Sequence, residues 1–200
     1  MTRIVLWDLD KTLGTFDPIE KGRTDIKVRE GIRDILEENQ QKGILNVLTT
    51  GATRAYAERA LNLAKIRPNF ELIFPREIVM GYNGKTYQDI LTIYGLSAEE
   101  AEDKVAVIGD MIRDRPIDVS GLTFILDSTY RSSEADASDL RDILSHLTEQ
   151  ESFVKGFNAM YARAEQHPEG YKVMRNGFKA NCAMNQGGNP KINLIMLSEK

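Results

Sequence analysis

Short unbroken apolar runs in this chain alternate with longer stretches in which only every third or fourth position is apolar. Ile4 to Trp7, Ile44 to Leu48, Phe70 to Phe74, Lys104 to Ile108 and Leu122 to Leu126 read as strands of a parallel sheet, buried on both faces. Between and after them, Val28 to Lys42, Thr53 to Lys65, Thr86 to Tyr94, Ser97 to Glu102 and Asp136 to Leu147 carry helical spacing. In the first of these helices Val28, Ile32, Ile35 and Leu36 would face inward, and Gly43 would end it in the left-handed conformation. Ser97-x-x-Glu100 has the form of a capping box, which fixes one helix start. Alternation of this kind predicts an α/β fold, a three-layer Rossmann-like arrangement around a parallel sheet.

The pattern changes after Glu149. Gln150 to Glu165 reads as a helix, and Gly170 to Met184 and Lys191 to Leu197 as two strands around the turn-rich segment 185–190. The expected organisation is therefore a core over 1–149 and a small α+β appendage over 150–200. That appendage would cover the site or build an interface, such as that of a homodimer.

Composition narrows the class of partner. Two hundred residues with a net charge of −4 give no general reason to expect nucleic acid. The charge is uneven, −7 over 1–150 and +3 over 151–200, which a solvated mixed surface explains. No apolar run approaches the roughly 20 residues that span a bilayer, and no basic-then-apolar leader precedes the first strand. The single cysteine, Cys182, excludes an internal disulfide framework and fits a reducing compartment, so a cytoplasmic location is expected. His146 and His167 have no partner in the sequence for catalysis or metal binding.

Chemistry-bearing residues gather where the apolar runs stop. The first strand ends in Asp8-Leu9-Asp10, two carboxylates on the same side of an extended chain. Like charges this close to an apolar strand repel and lose hydration, a conflict that a divalent cation resolves. A carboxylate beside such a cation can serve as a nucleophile. The second strand ends in Thr49-Thr50-Gly51, hydroxyls at a helix start where phosphate oxygens can be held. The fourth ends in Gly109-Asp110-Met-Ile-Arg-Asp114, and Lys85 precedes the helix that leads into it. Arg23, Lys27 and Arg54 flank the mouth that these strand ends would form.

These motifs, in this order at successive strand ends, resemble the haloacid dehalogenase-like hydrolase superfamily, in its phosphatase branch and minimal-cap type. The match comprises Asp8-Leu9-Asp10-Lys11-Thr12, the strand ending at Thr50, Lys85, and Gly109-Asp110-x-x-x-Asp114, spanning about residues 1–130. The resemblance implies a phosphomonoester hydrolase acting through an aspartyl-phosphate on Asp8, with Asp10 as acid and then base. It implies Mg²⁺ held by Asp8, the Asp10 backbone carbonyl and Asp110, with Asp114 as a ligand or as holder of a bound water. Thr50, or Thr49, with Gly51 and Lys85 would bind the phosphoryl group of a phosphorylated substrate. The family lysine is often followed by proline, whereas Thr86 follows Lys85, and Lys65 is the alternative cation. Asp10 argues against the dehalogenase branch, which lacks this second aspartate. Two other readings stay open: a non-catalytic binding module on the same fold, and phosphoryl transfer to an acceptor other than water.

Overall fold

The computed structural model describes residues 2–81, 84–166, 171–175 and 191–197. Strand β1 (Arg3–Trp7) runs through the middle of the sheet because Ile4 to Trp7 are buried on both faces. Ile4 and Leu6 pack on one side and Val5 and Trp7 on the other, as the two-residue repeat of a strand requires. The buried indole of Trp7 is satisfied: its N–H donates to Asn46 Oδ1 at 3.0 Å, and Asn46 donates in turn to the Leu36 carbonyl at 2.9 Å.

A small excursion follows, made of β2 (Gly14–Thr15), a 3-10 turn at Asp17–Lys21 and β3 (Lys27–Val28), which pairs antiparallel with β2. Helix α1 (Ile32–Gln41) therefore starts four residues later than the spacing of Val28 suggested. Val28 stands four residues before Ile32 and mimics the helical period, but it belongs to the hairpin. Gly31, at φ 82°, makes the left-handed turn that starts the helix.

The chain continues through β4 (Ile44–Thr49), α2 (Arg54–Leu63) and β5 (Leu72–Phe74). A one-turn helix α3 (Arg76–Val79) and a hairpin of β6 (Met80–Gly81) and β7 (Gly84–Lys85) then precede α4 (Gln88–Ile93) and α5 (Ala98–Lys104). Lys85 thus sits on a strand, and the helix expected from Thr86 begins at Gln88. Ser97 and Glu100 form the capping box read from the sequence. After β8 (Val105–Gly109) come a 3-10 turn at Ile112–Asp114, β9 (Thr123–Asp127), α6 (Thr129–Ser133), α7 (Ser138–Thr148), α8 (Phe153–Gln166), β10 (Tyr171–Arg175) and β11 (Asn193–Leu197).

The main sheet has seven strands in the order β10-β11-β9-β8-β1-β4-β5, all parallel except for β10 against β11. Helices α1, α2, α7 and α8 cover one face, and α4 and α5 the other. The α/β expectation, with three layers around a Rossmann-like parallel sheet, is met. In register, Trp7 is level with Leu48 on one side and Ile108 on the other. Strand order reverses at β1, so a crevice opens beyond the carboxyl ends of β1, β4 and β8.

Residues 150–200 supply α8 and two strands. Phe153, Phe157 and Met160 of α8 are buried in the same apolar cluster as α7, and β11 is hydrogen-bonded parallel to β9. Of the strand expected over 170–184, Tyr171–Arg175 is observed. Residues 176–190, with Cys182 and the turn at 185–190, lie outside the described residues, as does His167. Among the described residues no helix is long and apolar enough to cross a membrane.

Candidate active site

Three strand ends and one hairpin build the site. Asp8 follows β1 and is pinned by its own N–H, which donates to the Ile108 carbonyl of β8 at 2.9 Å. Beyond it the chain turns sharply at Lys11, a non-glycine residue at φ 66°. At the end of β4 the two threonines diverge. Thr49 Oγ1 donates to the Trp7 carbonyl at 3.2 Å, inside the sheet. Thr50 Oγ1 accepts from the Ala52 N–H at 3.1 Å, and Thr50 lines the cavity together with Gly51. At the end of β8, the Asp114 side chain lies directly against Gly109. A Cβ at residue 109 would stand 2.4 Å from that of Asp114, so this approach requires glycine. Asp114 Oδ2 accepts from the Met111 N–H at 3.0 Å.

Lys85 joins these ends. It is 2 % exposed, and its Nζ lies 2.5 Å from Asp8 Oδ1, 2.9 Å from Asp114 Oδ1 and 2.7 Å from the Thr49 carbonyl. The hairpin that carries it is tied down by the Thr86 N–H, which donates to the Val79 carbonyl at 2.8 Å. Proline would lack that donor, which is a local reason for threonine after the lysine.

The electrostatics follow from burial. Loss of solvent pushes the Asp8 carboxyl upward; the Lys85 charge pulls it down, and Asp114 and Asp110 push it up again. Burial works against the Lys85 ammonium too, but Asp8 and then Asp114 outweigh it and hold it above the ordinary lysine range. Asp110 is also raised, by burial first, against a hydrogen bond from Arg131. Asp10 is raised by burial to about 6, opposed by a hydrogen bond from Tyr56.

Carboxylate oxygens of Asp8, Asp110 and Asp114 lie within 4.8 Å of one another, and all three residues are buried. Lys85 and Arg131 each engage this trio, yet two cations do not balance three clustered carboxylates and Asp10. An all-oxygen, net-negative donor set of this kind suits a hard divalent cation. The Asp10 carboxylate lies outside the trio. Its Oδ1 accepts from the Tyr56 hydroxyl at 2.9 Å.

A cavity of about 670 Å³ opens over these groups, lined by Asp8, Asp10, Thr50, Gly51, Lys85 and Asp114 among others. Asp110 lies beneath, with its Oδ2 accepting from Arg131 Nη1 at 2.7 Å. Sequence reasoning did not single out Tyr56, Arg76, Arg113 or Arg131, which also line the cavity. Tyr56 stands three residues into the helix start that follows Thr50-Gly51, and that spacing was its available signal. Arg131 had none, because a buried network brings it in. Arg29 reaches Asp127 Oδ2 with Nη1 at 2.6 Å, Thr129 Oγ1 with Nη2 at 3.0 Å and the Ala135 carbonyl with Nε at 3.0 Å, which anchors α6. The charges expected at the mouth are engaged elsewhere. Arg23 pairs with Asp25, Lys27 with Glu134, and Arg54 donates to the Ile73 carbonyl at 3.0 Å. Lys65 is exposed just past the end of α2.

A family model described as haloacid dehalogenase-like hydrolase matches residues 5–116. No match was found among curated protein sequences. Among solved structures, a HAD-superfamily hydrolase from Ehrlichia chaffeensis shares 12% identity over 74% of this chain and 98% of its own, with a TM-score of 0.52. The core domain of a Streptococcus pneumoniae TIGR4 protein, provisionally assigned as a phosphoglycolate phosphatase, shares 22% identity over 75% and 97%, with a TM-score of 0.50. A phosphoserine phosphatase in its apo form shares 15% identity over 73% and 99%, with a TM-score of 0.48.

Proposed function

This chain belongs to the haloacid dehalogenase-like hydrolase family, and on that premise we propose that it is a Mg²⁺-dependent phosphomonoester hydrolase whose nucleophile is Asp8. The observation that carries this reading is the Lys85 ammonium lying between Asp8 and Asp114 at the end of the central strand. Three buried acids and one lysine at a strand end have little structural purpose, since each would be stabilised by water instead.

An oxygen of Asp8 attacks phosphorus in line, and the bond from phosphorus to the ester oxygen breaks. Asp10 gives its proton to that departing oxygen, which lets a poor leaving group go. The aspartyl-phosphate is then attacked by a water from which Asp10 takes a proton. Phosphate leaves and the Asp8 carboxylate is restored. Dividing the displacement this way replaces one difficult step by two easier ones. Thr50 Oγ1, the Gly51 backbone and Lys85 Nζ hold the phosphoryl oxygens, with Lys85 offsetting charge as the transition state spreads it. Mg²⁺ would be held by Asp8, Asp110 and the Asp10 backbone carbonyl, with Asp114 a ligand or the holder of a bound water. Its contribution is to neutralise negative charge between nucleophile and phosphoryl group.

The substrate is a phosphorylated small molecule, and the single cysteine fits a cytoplasmic setting. Purified protein with Mg²⁺ and an aryl phosphate provides the test. Turnover is expected that is lost on chelation, abolished in Asp8→Asn and unchanged in Asp89→Asn, an exposed residue of α4. Acid-quenched wild type should carry a hydroxylamine-labile phosphate that Asp8→Asn lacks. A flat response across a broad phosphate panel would favour a binding module. Product that depends on added alcohol would favour phosphoryl transfer.

A further inference from the structure

Tyr56 occupies an unusual place. Thr53 caps the start of α2 by accepting the Tyr56 N–H at 3.4 Å, which fixes the backbone of the residue. The half-buried ring packs against the apolar cluster beneath α2. From there the hydroxyl reaches across to the loop after β1 and donates to Asp10 Oδ1 at 2.9 Å. Both residues line the cavity that also exposes Asp8, Thr50 and Lys85. Asp10 Oδ2 has no hydrogen-bond partner among the described residues.

We propose that Tyr56 is a positioning residue for the acid–base group, fixing the rotation of the Asp10 carboxyl so that Oδ2 alone is presented to the leaving oxygen. The assignment rests on the phosphatase reading above. The physical reason is donor and acceptor bookkeeping. A carboxyl oxygen that already accepts from a phenol is a poor place for the acid's own proton, so that proton belongs on the other oxygen. Tyr56 remains the donor, because burial and the adjacent Asp10 charge both oppose ionisation of its hydroxyl. A carboxyl free to spin would present the wrong oxygen for part of the time, and misplacement of a reacting group is costly in rate.

A purely structural hydroxyl would affect all substrates alike, whereas a hydroxyl that aims a proton donor matters only where the leaving group needs a proton. The test compares kcat/KM of wild type and Tyr56→Phe, which keeps the ring, on phenyl phosphate and on 2,4-dinitrophenyl phosphate with Mg²⁺ present. kcat/KM reports the steps through formation of the aspartyl-phosphate, which isolates leaving-group departure. The expected result is a loss of about 10- to 100-fold on phenyl phosphate and less than about twofold on the dinitrophenyl ester. Equal losses on both, or none on phenyl phosphate, would overturn the proposal. As a second variant, Tyr56→Phe added to Asp10→Asn should cost nothing further on phenyl phosphate, since the group being aimed is gone. An additional loss there overturns it as well. Wild type that turns over neither ester would sink the hydrolase reading and this assignment together; turnover with uniform losses sinks only Tyr56.

Discussion

Asp10 shows what the proposed chemistry asks of a single residue. Burial raises its carboxyl from 3.8 to about 6. Between those values the native state keeps a proton that the unfolded chain has released. Stability contributed by this group is therefore full below about pH 4, declines as pH rises through the window, and is lost above about pH 6. In metal-free buffer at pH 8, Asp10→Asn is expected to be more stable than wild type by about 3 kcal/mol, with the difference vanishing near pH 3. Urea unfolding at several pH values measures this, and an Asn variant less stable at pH 8 would contradict it. The same variant should lose about 10²- to 10⁴-fold in turnover of phenyl phosphate. Stability would be gained where activity is lost, the trade expected of a residue kept for chemistry.

Elements set how closely the acids can approach, and β8 does so most sharply. Gly109→Ala puts a methyl group 2.4 Å from the Asp114 Cβ, where backbone or carboxylate must move. A loss of about 1–3 kcal/mol in stability is expected, with weaker metal binding by titration calorimetry, because Asp114 is displaced from the trio. Gly109 and the acids after it were legible in the sequence, since a continuous apolar strand that stops at carboxylates leaves a plain signal. The ends of β1 and β4 were legible for the same reason. Other parts were hidden for physical reasons. Two-residue strands such as β6 and β7, and one-turn helices such as α3 and α6, are too short to show any period. Val28 imitated a helix position because hairpin and helix happened to keep the same spacing, and only the left-handed Gly31 separates them. Arg131 reaches Asp110 through folding alone, 21 positions away along the chain.

Across the whole molecule, α8 and β11 belong to the energetics of the core. Phe157 is fully buried in the cluster that also holds Trp7 and Leu144. Phe157→Ala is expected to destabilise by about 3–5 kcal/mol in denaturant titration, while the fraction that remains folded keeps its kcat/KM. A shift under about 1 kcal/mol would show that α8 is held only loosely. The carboxyl end of β9 depends on a different tie. Arg29 and Asp127 are both out of contact with solvent, and the guanidinium also serves Thr129 and two backbone carbonyls. A lysine ammonium gathers its three donors at one point and could not span the Asp127 carboxylate, the Thr129 hydroxyl and both carbonyls, so at least one buried acceptor would be left unpaired. Position 29 should therefore tolerate no replacement: random mutagenesis followed by selection for activity should find it as intolerant as the aspartates proposed to react, although it touches none of them.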